Sequence, residues 1–245
     1  MKKLSLIFLV FLALPVLAKR PSGEQILKRI DENLSAKTQI SVSTMIVHSR
    51  RGRRTIRAKT WMKGRDTSFT EYLSPPRDKG TKMLKIRDRL WLYSPRTDRI
   101  IQIAGHMLRQ SVMGSDLSYE DLMENPHLWD LYTAKIVGRE MWNIRSCWVL
   151  KLVAKKRDVA YPMRKIWVDQ ERMLPLKEER FARSGRLLKT TEIQTVFRVD
   201  GRWYPKKILF KDVLKKGQGT EFLVDSIQFD VKIPSYIFTK AALRR

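Results

Sequence analysis

The sequence predicts a mainly β protein: an incomplete antiparallel β-barrel of about 11 strands, wrapped around an N-terminal helix and a short helical lid. Apolar and polar residues alternate with a period of two over most of the chain, which is typical of strands with one buried face. Turn signals rich in Gly, Pro and Asp separate these segments at short intervals. Because an open, flat sheet of this size would expose long edges, we expect it to curve around its own apolar face.

The first eighteen residues have the three-part layout of a cleaved export signal. Lys2 and Lys3 precede an apolar run over residues 4–14, and Val16 and Ala18 occupy the small-residue positions before a cleavage site. The apolar run is shorter than the roughly 20 residues of a membrane-spanning helix, which disfavours the alternative of an uncleaved anchor. We therefore predict a signal peptide over residues 1–18, export to the periplasm, and a mature binding domain over residues 19–245.

The mature chain is predicted to open with one amphipathic helix and to continue as strands. Ser22 is available to cap the helix, whose apolar residues recur at helical spacing: Ile26, Leu27, Ile30 and Leu34. The first group of strand segments covers residues 39–48, 55–63, 66–73, 81–87, 89–93 and 99–103. The second group covers residues 131–139, 147–154, 165–168, 175–183, 186–197, 203–210 and 220–229. In the segment 55–63, alternation places four residues on one face: Ile56, Ala58, Thr60 and Met62.

Residues 105–124 interrupt the strands with a methionine-rich segment that is too long for a hairpin turn. Within it, Ser118 is predicted to cap a short helix that carries Leu122 and Met123. Long segments inserted between the strands of a barrel often act as lids or mouth loops. We therefore expect residues 105–124 to form a lid.

The chain is strongly basic, with 50 Lys and Arg against 25 Asp and Glu and a formal net charge of +25. A field of this sign favours anionic partners. Exported proteins rarely meet nucleic acid, so we expect no nucleic acid among the partners. An anionic membrane surface, an acidic protein and an amphiphile with a phosphate or carboxylate head remain as candidates. A well-solvated cationic surface without a specific partner is the alternative.

The sequence contains little that indicates catalysis. The three histidines, at positions 48, 106 and 127, are scattered, and neither a Gly-x-Ser-x-Gly elbow nor a Cys-x-x-Cys pair occurs. Several acidic residues sit beside Arg or Lys and are expected to form solvated surface pairs: Asp158, Asp169, Glu178 and Glu179. Cys147 lies in an apolar run and is expected to be a buried thiol. We predict a binding protein rather than an enzyme, with no catalytic residues, no metal site and no cofactor.

Large aromatic and methionine side chains are spread over the strands and the central segment. They suit a cavity for acyl chains because they offer apolar area without demanding one ligand shape. Ordinary core packing is the alternative, since alternation alone does not fix which face of a strand points inward. The candidate lipid-binding residues are Trp61, Met83, Trp91, Tyr93, Ile101, Met107, Met113, Leu117, Tyr119, Leu122, Met123, Trp148 and Trp167.

A series of motifs gives the sequence a family resemblance. Tyr93-Ser94-Pro95 precedes the most specific run, which reads Gly-Ser-Asp-Leu-Ser-Tyr-Glu-Asp-Leu over residues 114–122. Gly138-Arg139, Trp167-Val168-Asp169, Leu174-Pro175-Leu176, Trp203-Tyr204-Pro205 and Phe238-Thr239-Lys240 follow in order. In these motifs the sequence resembles the LolA-like outer-membrane lipoprotein-sorting proteins of Gram-negative bacteria, over most of the mature chain.

The resemblance implies an incomplete barrel closed by helices, whose apolar concavity holds the acyl chains of a lipidated cargo in the periplasm without catalysis. Such a carrier takes lipoprotein acyl chains or another anionic amphiphile from an inner-membrane transporter and passes them to an outer-membrane acceptor. Two alternatives remain open: a non-catalytic sensor or adaptor working with an inner-membrane transporter or envelope complex, and a structural protein that holds anionic lipid on its basic surface.

Overall fold

The computed structural model describes residues 20–49, 52–124 and 127–245. The predicted signal peptide, residues 1–18, lies outside the described residues. Helix α1 spans Gly23–Leu34 and begins as predicted at Ser22, which forms a capping box with Gln25. Its buried apolar stripe includes Ile26, Leu27 and Ile30, so the helical spacing read in the sequence corresponds to the buried face.

All of the predicted strand segments are strands, thirteen in the described residues rather than about 11. They are β1 (Thr38–Ser49), β2 (Gly52–Lys63), β3 (Thr67–Ser74), β4 (Lys82–Ile86), β5 (Arg89–Ser94), β6 (Arg99–Ile103), β7 (Tyr132–Trp142), β8 (Arg145–Ala154), β9 (Met163–Asp169), β10 (Pro175–Phe181), β11 (Leu187–Val199), β12 (Arg202–Asp212) and β13 (Thr220–Phe229).

The strands form one antiparallel sheet in the order β6-β5-β4-β3-β2-β1-β13-β12-β11-β10-β9-β8-β7. Each strand pairs with its neighbour in sequence, except that β6 and β7 do not pair and β13 returns to pair with β1. β6 and β7 are therefore the edges of a single open sheet, and the predicted incomplete barrel is confirmed.

The inner face of the sheet is covered by helices. We define it as the face that bears Met45 and Ile56 on one half and Leu150 and Ile166 on the other. On the second half, α1 packs against apolar residues of β7, β8 and β9. On the first half, the inner face meets the central segment, residues 105–124, which contains 3-10 turns over Gly105–Arg109 and Val112–Gly114 and helix α2, Tyr119–Met123. Helix α3, Leu128–Leu131, then leads into β7.

The outer face of β3–β5 is also apolar and is covered by the end of the chain. Two 3-10 turns, Ser235–Phe238 and Lys240–Arg244, place Ala242 and Leu243 in a buried cluster with Phe69, Leu84 and Trp91. This covering segment was not predicted from the sequence. It makes both faces of these strands part of a core, and alternation then no longer marks a single buried face.

Candidate functional site

The inner face and the central segment enclose an apolar cavity of about 330 Å³. Strands β1–β5 and β13 form its floor, and the central segment forms its roof. The apolar lining consists of Met45, Ile56, Ala58, Met62, Tyr72, Met83, Leu90, Val112, Leu117, Leu122 and Phe222. The cavity therefore lies beneath residues 105–124, the segment that the sequence predicts to be a lid.

Strand alternation explains how β2 builds this wall. Its four alternating residues, Ile56, Ala58, Thr60 and Met62, all line the cavity, as their predicted common face requires. Directly opposite them on β1, Met45 pairs with Ile56 and Ser43 pairs with Ala58, so both strands present one continuous inner surface.

One end of the cavity is polar. Hydroxyl-bearing side chains of β2 and β3 line it, and the Oγ1 atoms of Thr60 and Thr70 lie 3.0 Å apart. Arg65 and Lys85 line the cavity as well, next to Glu124 of the central segment. The site thus combines an apolar body with a polar, partly charged end, which is the distribution that an amphiphile requires.

Lys85 anchors the roof over this polar end. Its ammonium group is largely buried and donates to the carbonyl oxygens of Leu122, at 3.0 Å, Met123, at 3.3 Å, and Glu124, at 3.4 Å. These carbonyls lie at the end of α2, where a cation complements both the unpaired acceptors and the helix dipole. Burial lowers the pKa of Lys85 from its ordinary value.

Helix α2 begins as predicted at Ser118, which forms a capping box with Asp121. The preceding turn is fixed by Asp116, whose carboxylate accepts hydrogen bonds from the hydroxyl of Thr220, at 2.7 Å, and from the backbone N–H of Asp212, at 2.9 Å. The resemblance motif over residues 114–122 therefore attaches the roof of the cavity to β12 and β13.

A buried ionic cluster joins α2 to the inner face of β9–β11. Asp121 accepts from Arg180 at 3.1 Å and from the hydroxyl of Tyr161 at 2.7 Å, and it also pairs with Lys189. Burial alone would raise the pKa of Asp121, but the charges of Lys189 and Arg180 lower it to about 2. The carboxylate is therefore ionised at neutral pH.

Arg164 is the centre of the same cluster. Its side chain is only 2% exposed, pairs with Glu178 at 2.7 Å and with Glu124 of the central segment, and stacks on Tyr132. Although burial of Glu178 would raise its pKa, Arg180 and Arg164 lower it to about 2. The prediction that Glu178 and Asp169 form solvated surface pairs is wrong, because Asp169 is also buried and pairs with Arg145 at 2.8 Å. Their arginine partners lie on β8, β9 and β10 of the same sheet, and the spacing of charges along a strand does not show that such a pair is buried.

A second depression, of about 600 Å³, lies beside the first at the C-terminal end of α1. The two share Met62 and Arg65. In the second depression, Asp31 accepts from the backbone N–H groups of Leu128, at 3.3 Å, and Trp129, at 2.8 Å, and so connects α1 to α3. Burial raises the pKa of Asp31 to about 6, against the lowering effect of these two hydrogen bonds.

The structure distributes the sequence-predicted site residues over several environments. Met83, Leu117 and Leu122 line the cavity. Others belong to the core around it: Met107, Met113, Tyr119 and Met123. Trp61, Trp91 and Tyr93 lie instead on the outer face, under the C-terminal segment. Trp148 packs in the α1 cluster, Trp167 belongs to a cluster with Cys147 and Val149, and Ile101 is exposed on edge strand β6.

Several lining residues were missed as site residues: Met45, Tyr72, Leu90 and Phe222. These residues can be identified from the register of strand pairing. Once Ile56 is placed inward, its β1 partner Met45 must point the same way, and so must Phe222, the partner of Met45 on β13. Pairing partners are not available from the sequence pattern alone.

Cys147 is a buried free thiol, as predicted. Burial raises its pKa to about 11, which keeps the sulfur protonated and unreactive at neutral pH. In the part of the chain that the structure describes, no group of three or more His, Cys, Asp or Glu side chains is arranged to hold a metal ion. Among the same residues, none of the helices combines the length and the apolar character needed to cross a membrane.

Comparison with known proteins places the chain in a family. Residues 64–245 match a family model described as "Uncharacterized protein". A comparison with curated proteins gave no significant match.

Solved structures show the same fold. An outer membrane lipoprotein-sorting protein domain from Vibrio parahaemolyticus has a TM-score of 0.80 and 23% identity, over 91% of this chain and 98% of that one. A DUF1329 family protein from Desulfovibrio piger has a TM-score of 0.82 and 24% identity, over 90% and 97%. A LolA superfamily protein from Nitrosomonas europaea has a TM-score of 0.74 and 24% identity, over 91% and 100%. The chain therefore belongs to the family that the model describes, and it has the open-barrel fold of the LolA-like lipoprotein-sorting proteins.

Proposed function

We propose that the protein is a periplasmic carrier, exported by a cleaved signal peptide, that binds the acyl chains of a lipoprotein or another amphiphile and transfers them toward the outer membrane. The observation that carries the proposal is the apolar cavity between the inner face and the central segment. The fold shared with a lipoprotein-sorting domain and a LolA superfamily protein supports the choice of cargo. The carrier acts by shielding apolar chains from water, and no catalytic step is required.

The energetics of the cavity favour an acyl chain. Each buried methylene is worth about 0.8 kcal/mol, so a chain of about ten methylenes gains roughly 8 kcal/mol before the entropic costs of binding. The flexible side chains of Met45, Met62 and Met83 adjust to different chain shapes. The polar end with Arg65 then faces the head group.

The size of the cavity sets a condition on transfer. At about 330 Å³ it lies near the lower end of the range for ligand pockets. A cargo with more than one acyl chain therefore needs the central segment to move outward as a lid. The donor is proposed to be an inner-membrane transporter, and the acceptor lies at the outer membrane.

Native mass spectrometry with lipid extraction tests the proposal. The protein is recovered from a bacterial periplasm without detergent, so that a bound amphiphile is retained. We expect lipid or acylated peptide at near-unit stoichiometry, and its fragmentation identifies the cargo class. A folded protein that is empty, and that instead co-purifies with a stable protein partner, would favour the sensor or adaptor function.

A further inference from the structure

The β7–β8 hairpin ends in an exposed apolar tip. Ile144 is 92% exposed and Met141 is 66% exposed, the two most exposed large apolar side chains among the described residues. β7 is an edge strand, so one side of the hairpin has no neighbouring strand. Exposed apolar side chains on a protruding turn contribute nothing to the core of the protein.

The backbone of the tip makes isoleucine a costly residue at this position. The hairpin loop consists of Asn143 and Ile144 only, with φ angles of 45° and 61°. Two-residue loops with positive φ at both positions favour Asn followed by Gly. A β-branched residue in this region is an outlier, because its side chain crowds the backbone. Neither packing nor backbone preference therefore explains Ile144.

Basic and aromatic side chains lie at the same end of the sheet. The β7–β8, β9–β10 and β11–β12 turns are all at this end, since the strands alternate in direction, and Gln170 donates to the carbonyl of Ser146 at 3.1 Å. Here the partly exposed ring of Trp203 is stacked by Arg172, at 4.3 Å, and Arg198, at 5.5 Å. Tryptophan with arginine is typical of side chains at the level of lipid head groups.

We propose that this end of the sheet docks onto a lipid bilayer that contains anionic lipid, with Ile144 and Met141 entering the interface. A convex apolar tip fits hydrocarbon better than the surface of a protein, because it needs no matching pocket. Charge complementarity supports an anionic bilayer: at this end of the sheet Arg145 pairs with Glu171 and Lys165 pairs with Glu140, but Arg139 and Arg198 form no ion pair with any described residue, and the chain carries a net charge of +25. This surface is separate from the cargo cavity.

Vesicle co-sedimentation of the mature chain, residues 19–245, tests the docking surface, because the apolar run of the predicted signal peptide would itself bind vesicles. The probes are phosphatidylcholine vesicles and mixed phosphatidylcholine and phosphatidylglycerol vesicles. We expect binding to the mixed vesicles that weakens with added salt. Ile144→Asn, which suits a positive φ and preserves the turn, is expected to weaken this binding by about tenfold, the value of losing a buried isoleucine side chain. Leu214→Ser is the matched control, since Leu214 is a 55% exposed apolar residue in a turn at the opposite end of the sheet.

Three outcomes would overturn the proposal: no binding of the wild type to the mixed vesicles, equal binding by wild type and Ile144→Asn, or an equal loss with Leu214→Ser. A self-association that Ile144→Asn abolishes, without vesicle binding, would identify a second copy of the chain as the occupant. Ala58→Trp, which fills the cargo cavity, is expected to bind vesicles like the wild type. The vesicle-binding test therefore remains valid even if the protein does not carry lipid in its cavity.

Discussion

Removal of Arg164 is expected to destabilise the protein strongly, because it leaves buried carboxylates without their partner. The guanidinium is 2% exposed, pairs with Glu178 and Glu124, and stacks on Tyr132 at 4.8 Å. Deleting one partner of a buried ion pair costs about 3–5 kcal/mol. Glu178 keeps Arg180 at 2.9 Å, so Arg164→Met should fall near the lower end, at about 3 kcal/mol.

Urea unfolding measures the free energy of unfolding of Arg164→Met against the wild type at neutral pH. Arg65→Met is the control, since Arg65 is exposed and pairs with Asp130 at 3.4 Å. It should cost less than about 1 kcal/mol. Adding Glu124→Gln to Arg164→Met is expected to recover part of the loss, because it removes a carboxylate whose remaining ion-pair partner is Arg180, at 3.9 Å. A loss for Arg164→Met no larger than that for Arg65→Met would refute the assignment of a buried cluster beneath the central segment.

Three further predictions concern stability. The pKa of Asp121 is lowered to about 2, so its stabilising contribution is present above its ordinary pKa near 4 and is lost as the pH falls toward 2. In Asp121→Asn the free energy of unfolding, measured by urea titrations, should therefore depend less on pH across that range. The pKa of Asp31 is raised to about 6, so its ionisation is unfavourable in the folded state. The free energy of unfolding should therefore decrease as the pH rises from 4 to 6, and it should decrease less in Asp31→Asn, as measured by the change in Tm. Gly23→Ala should destabilise the protein by about 1–3 kcal/mol, because the new Cβ would lie 2.5 Å from the carbonyl oxygen of Ala134. In the control Gly138→Ala the new Cβ meets open space, so this variant should be tolerated. Thermal unfolding compares the two variants.

Local pattern was enough to predict the strands and the starts of α1 and α2, but not α3. Period-two alternation located the strand segments, and the cap residues Ser22 and Ser118 marked α1 and α2. These signals are local, since alternation reflects the pleat of one strand and a cap reflects one turn. The number and order of strands within the sheet depend on pairing, which the local pattern does not contain.

The predicted site residues differ from the lining of the cavity because both faces of β3–β5 are buried. Large aromatic residues such as Trp61 and Trp91 pack under the C-terminal segment, whereas the cavity is lined by smaller and more flexible neighbours such as Ala58 and Met83. The size and apolar character of a side chain therefore did not distinguish residues that line the cavity from residues that pack in the core. The covering segment is distant in sequence, and its effect appears only in the folded chain.

The ionic cluster escaped prediction for the same reason. Glu178 and Arg180 alternate on β10 as charged strand residues commonly do at a surface. Their burial results from Asp121 and Glu124 on the central segment, which contact β9–β11 across the inner face. A charged residue can be buried when an ion-pair partner is present, and the local sequence pattern does not show a partner that comes from a distant segment.

The claim that lipid binds in the cavity is tested most directly by measuring the lipid bound to two variants at adjacent residues. Ala58 lines the cavity, whereas Arg57 is its exposed neighbour on the opposite face of β2. Extraction of lipid from purified wild type, Ala58→Trp and Arg57→Trp compares filling of the cavity with the same substitution outside it. We predict that Ala58→Trp loses bound lipid while it stays folded and that Arg57→Trp retains the wild-type amount. Equal retention by the two folded variants would contradict binding in the cavity.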